Sequence, residues 1–185
     1  MRLFVALDLP PAVREVLRDL IARLQRSSAD VRWMRAEGIH LTLKFIGETP
    51  PEQLGRVQEA LRAVRSPQAV ELEFRGLGFF PHERRPRVFW MGVRASDNLF
   101  ELAGQVEAAL EPLGIAREQR SYTPHLTLGR FKSPARLARL QDEIAHLNDT
   151  EFGRARTREF ALYQSKLLPG GAHYTQLERF AFAPD

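Results

Sequence analysis

The chain of 185 residues contains no cysteine. Disulfides, iron–sulfur clusters and thiolate zinc sites are therefore excluded. A reducing cytoplasm is compatible with such a chain. Long hydrophobic runs are missing as well, and no apolar stretch approaches the ~18 residues that a membrane span needs. The start, M-R-L-F-V-A-L-D-L-P-P, has a short apolar run broken by Asp8. It lacks the length of a secretory core and a small-residue cleavage site. A soluble cytoplasmic protein without a membrane partner is expected. The metal-ligand spacings H-x-H, H-x-D, D-x-H and D-x-D are absent, so a metal-dependent phosphoesterase has no ligand cluster to start from. G-x-S-x-G and G-x-x-x-x-G-K-[ST] are absent too, which leaves a serine hydrolase or a P-loop enzyme unsupported.

What is present is ordinary for a folded domain: 44% hydrophobic and 27% charged residues, with a formal net charge of +4. The length suits one domain or two small lobes sharing a chain. The cationic excess is mostly arginine, as in H-E-R-R-P-R-V, and a mildly basic surface suits an anionic partner such as RNA.

Periodicity divides the chain into alternating helices and strands. Leu3 to Leu9 is apolar and β-capable. Pro10 and Pro11 open a helix with Val13, Val16, Leu17, Leu20, Ile21 and Leu24 on one face. Between Val31 and Gly47 the period becomes two: Ile39, Leu41, Leu43 and Phe45 alternate with His40, Thr42 and Lys44. T-P-P-E starts a second helix. A-V-E-L-E-F-R-G and R-V-F-W-M-G-V read as strands, joined by a basic loop. A third helix runs from about Asp97 to Leu110. T-P-H-L-T-L-G-R-F is a strand, Pro134 opens a fourth helix, and R-E-F-A-L-Y-Q-S-K-L and Y-T-Q-L-E-R-F-A-F close the chain. This order predicts an α+β fold with two pseudo-symmetric antiparallel sheets, flanking helices and a central cleft. The whole of 1–185 is expected to be one bilobal domain with an internal duplication.

Two of the five histidines carry the same tetrapeptide, H-L-T-L, at 40–43 and at 125–128. In a strand, residues i and i+2 share a face. His40 thus lies beside Thr42 and His125 beside Thr127, while the leucines point to a core. An imidazole exchanges a proton near neutral pH. A threonine hydroxyl is a short, stiff donor. Two such pairs facing across a cleft supply an acid and a base on opposite sides of a phosphorus, with two hydroxyls for its non-bridging oxygens.

H-L-T-L-K-F-I-G and H-L-T-L-G-R-F resemble the two HXTX signatures of the two-histidine phosphoesterases. Within that superfamily the chain is most similar to RNA 2',3'-cyclic phosphodiesterases of the LigT/ThpR type, also labelled 2'-5' RNA ligases. The match extends to R-L-F-V-A-L-D-L-P, G-L-G-F-F-P, R-V-F-W-M-G-V and F-A-L-Y-Q-S-K-L. The resemblance implies a bilobal fold with its site in the cleft. It implies opening of a terminal 2',3'-cyclic phosphate on RNA to a 2'-phosphate, with no metal and no cofactor. It assigns His40 as proton donor to the 3'-oxygen and His125 as proton acceptor from water. The residues alone leave that assignment open.

Lys44, on the face of His40 and Thr42 by simple alternation, is a candidate phosphate contact. So is Arg130, which follows a strand-bending Gly129 and whose guanidinium forks well onto phosphate. Phe4, Phe45, Phe131 and Tyr174 are candidates for base stacking, and Arg84, Arg85 and Arg87 for the RNA backbone. His82, His146 and His173 carry no motif and read as surface residues. The expected partner is RNA with 2',3'-cyclic phosphate ends, met by a monomer. Two alternatives stand beside this reading: ligation of the cyclic end to a 5'-hydroxyl at the same site, and a non-catalytic RNA-binding module.

Overall fold

A computed structural model describes residues 1–183. Nine strands form two antiparallel sheets. The four-stranded sheet has the order β3-β1-β8-β9 and the five-stranded sheet β2-β6-β5-β4-β7. The strands are β1 (Arg2–Leu7), β2 (Val31–Trp33), β3 (Leu41–Glu48), β4 (Val70–Phe80), β5 (Val88–Ala95), β6 (His125–Phe131), β7 (Glu151–Thr157), β8 (Glu159–Leu168) and β9 (Gly171–Ala181). Four α-helices complete the α+β fold: α1 (Pro11–Leu24), α2 (Leu54–Arg62), α3 (Asn98–Leu110) and α4 (Leu137–Ile144). No helix among the described residues is long and apolar enough to cross a membrane.

The sheets do not follow the halves of the chain. The four-stranded sheet takes its strands from both ends, and the middle of the chain, joined by β2 from near the start, builds the other. One continuous core joins them, running from Leu3, Val5 and Leu7 on β1 through Leu17 of α1 and Leu102 of α3 to Phe74, Phe89, Leu126 and Leu128. β1 lies between β3 and β8, which is why nearly all of its residues are buried. Its odd-numbered residues face the main core. Phe4 and Ala6 face the opposite side, with Ala161 and Tyr163.

Two strands were not anticipated as elements of their own: β2, which lay within the stretch read from Val31 to Gly47, and β7. β7, E-F-G-R-A-R-T, has too few apolar residues for an alternation signal, and as an edge strand it needs few. It is tied to β4 by ion pairs instead, Arg156 to Glu71 at 3.0 Å and Arg154 to Glu73 at 3.3 Å.

Each H-L-T-L strand carries an extra residue directly after its threonine. On β3, Thr42 is opposite Ala6 while Lys44, two residues on, is opposite the adjacent Val5. On β6, Thr127 is opposite Trp90 while Gly129 is opposite the adjacent Phe89. Leu43 and Leu128 are thus the extra residues of two β-bulges, and beyond each bulge the alternation is inverted. Lys44 therefore lies on the core side of β3, not beside His40 and Thr42 as uninterrupted alternation predicts. It is 6% exposed. Its Nζ donates to Glu107 Oε2 at 2.8 Å and to the Ala116 carbonyl at 2.6 Å. Gly129 takes the matching place on β6, where a Cβ would stand 2.5 Å from Val31 Cγ1. Phe45 and Arg130 are the residues that the bulges return to the histidine side.

A buried ammonium is tolerable only while its carboxylate is present, so removing one partner costs more than removing both. Glu107→Ala should destabilise the protein by about 3 kcal/mol. Lys44→Met combined with Glu107→Leu should restore most of that loss. Urea unfolding midpoints check this, and a single variant as stable as the wild type would contradict it.

Candidate active site

His40 directly precedes β3 and His125 opens β6. The two rings are held in the same way. His40 Nδ1 lies 3.0 Å from the Gly38 carbonyl, and His125 Nδ1 lies 2.8 Å from the Thr123 carbonyl. A backbone carbonyl can only accept, so each Nδ1 carries the proton and donates. Nε2 is left on both rings as the nitrogen that exchanges a proton with a ligand. Thr42 and Thr127 follow two residues later, before the bulges, and each lies on the same side of its strand as its histidine.

The surroundings of the two rings differ. His40 packs against Tyr163 at 4.4 Å between centroids, and edge-on against Tyr174 at 5.6 Å and Phe4 at 5.8 Å. Tyr174 also leans on Gly38, where a Cβ would be 2.9 Å from its ring. Arg14 donates to the Ala36 and Ile39 carbonyls at 2.6 and 3.1 Å and is paired with Asp8, which fixes the turn leading into His40. Asp8, Arg14, Glu37, Tyr163, Tyr174 and Gln176 line a pocket of about 250 Å³ beside His40. Burial lowers the His40 pKa, and the Arg14 charge lowers it further. Asp8 and the Gly38 carbonyl oppose the shift without reversing it. Burial pushes the Tyr163 phenol up to about 12. His125, by contrast, is exposed. Across β6, Thr127 is opposite Trp90, whose ring lies over Gly78, where a Cβ would be 2.2 Å from it.

One hydrogen bond joins the motifs directly. Tyr122, three residues before His125, donates its hydroxyl to the Thr42 carbonyl at 3.0 Å. The charge of Arg130, on β6, reaches Tyr174 on β9: burial raises that phenol, and Arg130 and Arg2 act against the rise. By the register of β6 Arg130 stands on the histidine side and is exposed, whereas Lys44 is withdrawn into its ion pair. Of the stacking candidates, Phe45 is 69% exposed beside Phe4. Phe4 itself is buried under its aromatic neighbours. Phe131 belongs to the core side, 5.7 Å from Phe79. His82, His146 and His173 are exposed. Among the described residues no three His, Asp or Glu side chains gather as metal ligands.

Sequence reading missed Arg14, Tyr122, Tyr163 and Trp90. Tyr163 had a signal, since it alternates with Leu162 in a strand. Trp90 had a weaker one, a bulky ring flanked in space by Gly78 and Gly92. Arg14 and Tyr122 act through backbone carbonyls and leave no pattern.

Two imidazole–hydroxyl pairs on adjoining antiparallel sheets, each with Nε2 free, define a protein of the two-histidine class. The chain belongs to the 2'-5' RNA ligase superfamily, whose model matches residues 9–166. It is 34% identical over 181 residues to the RNA 2',3'-cyclic phosphodiesterase of Methanothermobacter thermautotrophicus, spanning 97% of this chain and 98% of that one. The protein of the same name from Archaeoglobus fulgidus is 36% identical over 180 residues, with 97% and 99% covered. A solved structure from Thermus thermophilus superposes with a TM-score of 0.82 at 32% identity over 98% of each chain. E. coli LigT complexed with 3'-AMP gives a TM-score of 0.78 at 28% identity, covering 99% of this chain and 98% of that one.

An NMR titration of the His40 ring should give a midpoint below the ordinary ~6.5 of histidine. A positive neighbour disfavours the imidazolium, so Arg14→Met should raise the midpoint and the charge-keeping Arg14→Lys should move it less. A midpoint that falls in Arg14→Met would contradict the assignment.

Proposed function

We propose that this protein opens terminal 2',3'-cyclic phosphates on RNA to 2'-phosphates, without a metal, by acid–base catalysis between His40 and His125. The observation that carries the reading is the matched locking of both rings. Each Nδ1–H is spent on a backbone carbonyl, and each Nε2 is free, with a threonine hydroxyl two residues along.

His125 Nε2 takes a proton from a water as its oxygen bonds to phosphorus. The phosphorus–O3' bond breaks on the opposite side, and the His40 imidazolium gives its Nε2 proton to O3'. While phosphorus is five-coordinate its non-bridging oxygens carry one extra negative charge, which Thr42, Thr127 and Arg130 hold; that charge leaves with O3' and is neutralised by the His40 proton. The lowered pKa of His40 supports the donor role, because a buried imidazolium gives up its proton more readily than a free one. The names of the archaeal relatives support the same substrate. Lys44 has no part in this scheme, since its ammonium is already bonded. The cytoplasm is the proposed compartment, and RNA with cyclic ends the proposed partner of a monomeric enzyme.

The family's description as 2'-5' RNA ligases favours a second reading at the same site. With a 5'-hydroxyl attacking in place of water, the same two histidines would form a 2'-5' bond. Product analysis on one defined oligonucleotide separates the two outcomes.

With a chelator present, wild type should turn over a nucleoside 2',3'-cyclic phosphate. His40→Ala and His125→Ala should each lower kcat by at least ~10²-fold while the folded state is kept. Thr42→Val and Thr127→Val should reduce kcat more than they change KM, by up to ~10²-fold each. Near-normal turnover in either alanine variant would remove the mechanism. Chelation that abolishes activity, restored by one divalent ion, would remove the metal-free claim.

A further inference from the structure

Many arginines of this protein are in ion pairs: Arg14, Arg62, Arg75, Arg154 and Arg179, for example, each meet a carboxylate. Arg32, Arg120 and Arg130 are three of the several exposed arginines that have no carboxylate partner among the described residues. Arg32 and Arg130 share a row on the histidine side of the five-stranded sheet, and Arg120 stands beside Phe80 at its rim.

The register places them. In one row across the sheet, Thr127 is opposite Trp90 and Trp90 opposite Gly78. In the next row, Arg32 is opposite Arg130, Arg130 opposite Val88, and Val88 opposite Phe80. The second row lies about 7 Å further along the strands, the length of two residues. Phe80 is 49% exposed at the end of β4. Its neighbour Phe79 is turned the other way and stacked on buried Phe89 at 5.3 Å. The strand is therefore in register there, and Phe80 is held out on the histidine side by the pleat. The Arg120 guanidinium stands 6.0 Å from the Phe80 ring centroid. An exposed aromatic ring with a free guanidinium beside it is a stacking platform for a nucleobase, and unpaired arginines in line with it suit the attached phosphate.

Phe80 lies two strands from β6, about 10 Å away. The pocket beside His40 lies against the other sheet and would take the terminal nucleoside. The Phe80 platform therefore belongs to a different nucleotide. We propose that Phe80 and Arg120 bind the base of the nucleotide on the 5' side of the cyclic end, with Arg32 holding its phosphodiester beside Arg130. This rests on the function proposed above and makes an RNA of at least two nucleotides the preferred substrate, with little preference for base identity.

The test compares a nucleoside 2',3'-cyclic phosphate with a dinucleotide ending in the same group. Wild type should favour the dinucleotide in kcat/KM. Phe80→Ala should lower kcat/KM for the dinucleotide about tenfold, the size of one lost base stack, mainly through KM. The same variant should turn over the mononucleotide as wild type does, and Phe80→Tyr should restore the dinucleotide preference. Arg120→Gln should act in the same direction and weaken the salt dependence of dinucleotide binding. Equal use of both substrates by wild type, or equal loss on both in Phe80→Ala, would overturn the proposal. If wild type turns over neither, the catalytic reading fails on its own. Fluorescence anisotropy with labelled dinucleotide and mononucleotide 2'-phosphates then decides the binding site. A dinucleotide advantage lost in Phe80→Ala supports it, and equal affinities refute it.

Discussion

One inserted residue in each H-L-T-L strand governs what the site can be. A regular strand would place positions 44 and 129 beside the histidines and turn 45 and 130 inward. The bulges at Leu43 and Leu128 reverse this on both strands. The two inward residues then meet different neighbours. Lys44 reaches a carboxylate and a carbonyl, while Gly129 lies against Val31 with no space for a Cβ. The two outward residues, Phe45 and Arg130, give the site one apolar lip and one cationic lip. A nucleotide has one apolar part and one anionic part, so an asymmetric pair of lips fits it better than two identical ones would.

The same bulge ties the two motifs to each other. Lys44 and Glu107 hold the segment after α3, since Ala116 accepts from Lys44 and Glu118 donates its backbone N–H to Glu107 at 3.3 Å. A few residues on, Tyr122 donates to the Thr42 carbonyl on the open edge of β3, and His125 follows. The chain leading into the second motif is thus fastened twice to the strand of the first. Acid–base catalysis at one phosphorus needs both imidazoles placed to within a fraction of an ångström, and the histidines sit on separate sheets. These internal bonds link them more directly than the shared core does. They also satisfy an edge-strand carbonyl that would otherwise be open to another strand.

The sequence made the elements legible where periodicity was strong, as in α1, β3, β6 and β8. It also made the His–Thr relation legible, because i and i+2 share a face and neither bulge falls between them. It misled at Lys44 because a bulge leaves no mark in an alternating pattern; only the partner strand shows it. Gly129 was a usable sign on β6, and Lys44, its counterpart on β3, gave none. β7 escaped because an edge strand held by arginine–glutamate pairs has no apolar face to read. Phe131 was ambiguous as any strand aromatic is, and Trp33 and Phe89 settle it by building the core on its side. Long-range contacts to backbone, such as those of Arg14 and Tyr122, depend on how the chain folds back and carry no local signature.

The unequal settings of the two histidines follow from the same construction. β1 and β8 bring Phe4 and Tyr163 under His40, and the Arg14 that fixes its turn adds a positive charge nearby. Both features disfavour the imidazolium in the free protein. In the proposed reaction His40, as the donor, must nonetheless be protonated when the substrate is in place. The cyclic phosphate itself carries the missing charge. An anion entering a partly desolvated pocket attracts the proton to His40 more strongly than the same anion would in water, because screening there is weaker. Protonation of the acid is then coupled to occupation of the site. As the phosphorus–O3' bond breaks, negative charge grows on O3' and the proton is passed to it. What remains at position 40 is a neutral imidazole among aromatic rings, the form that this pocket holds best.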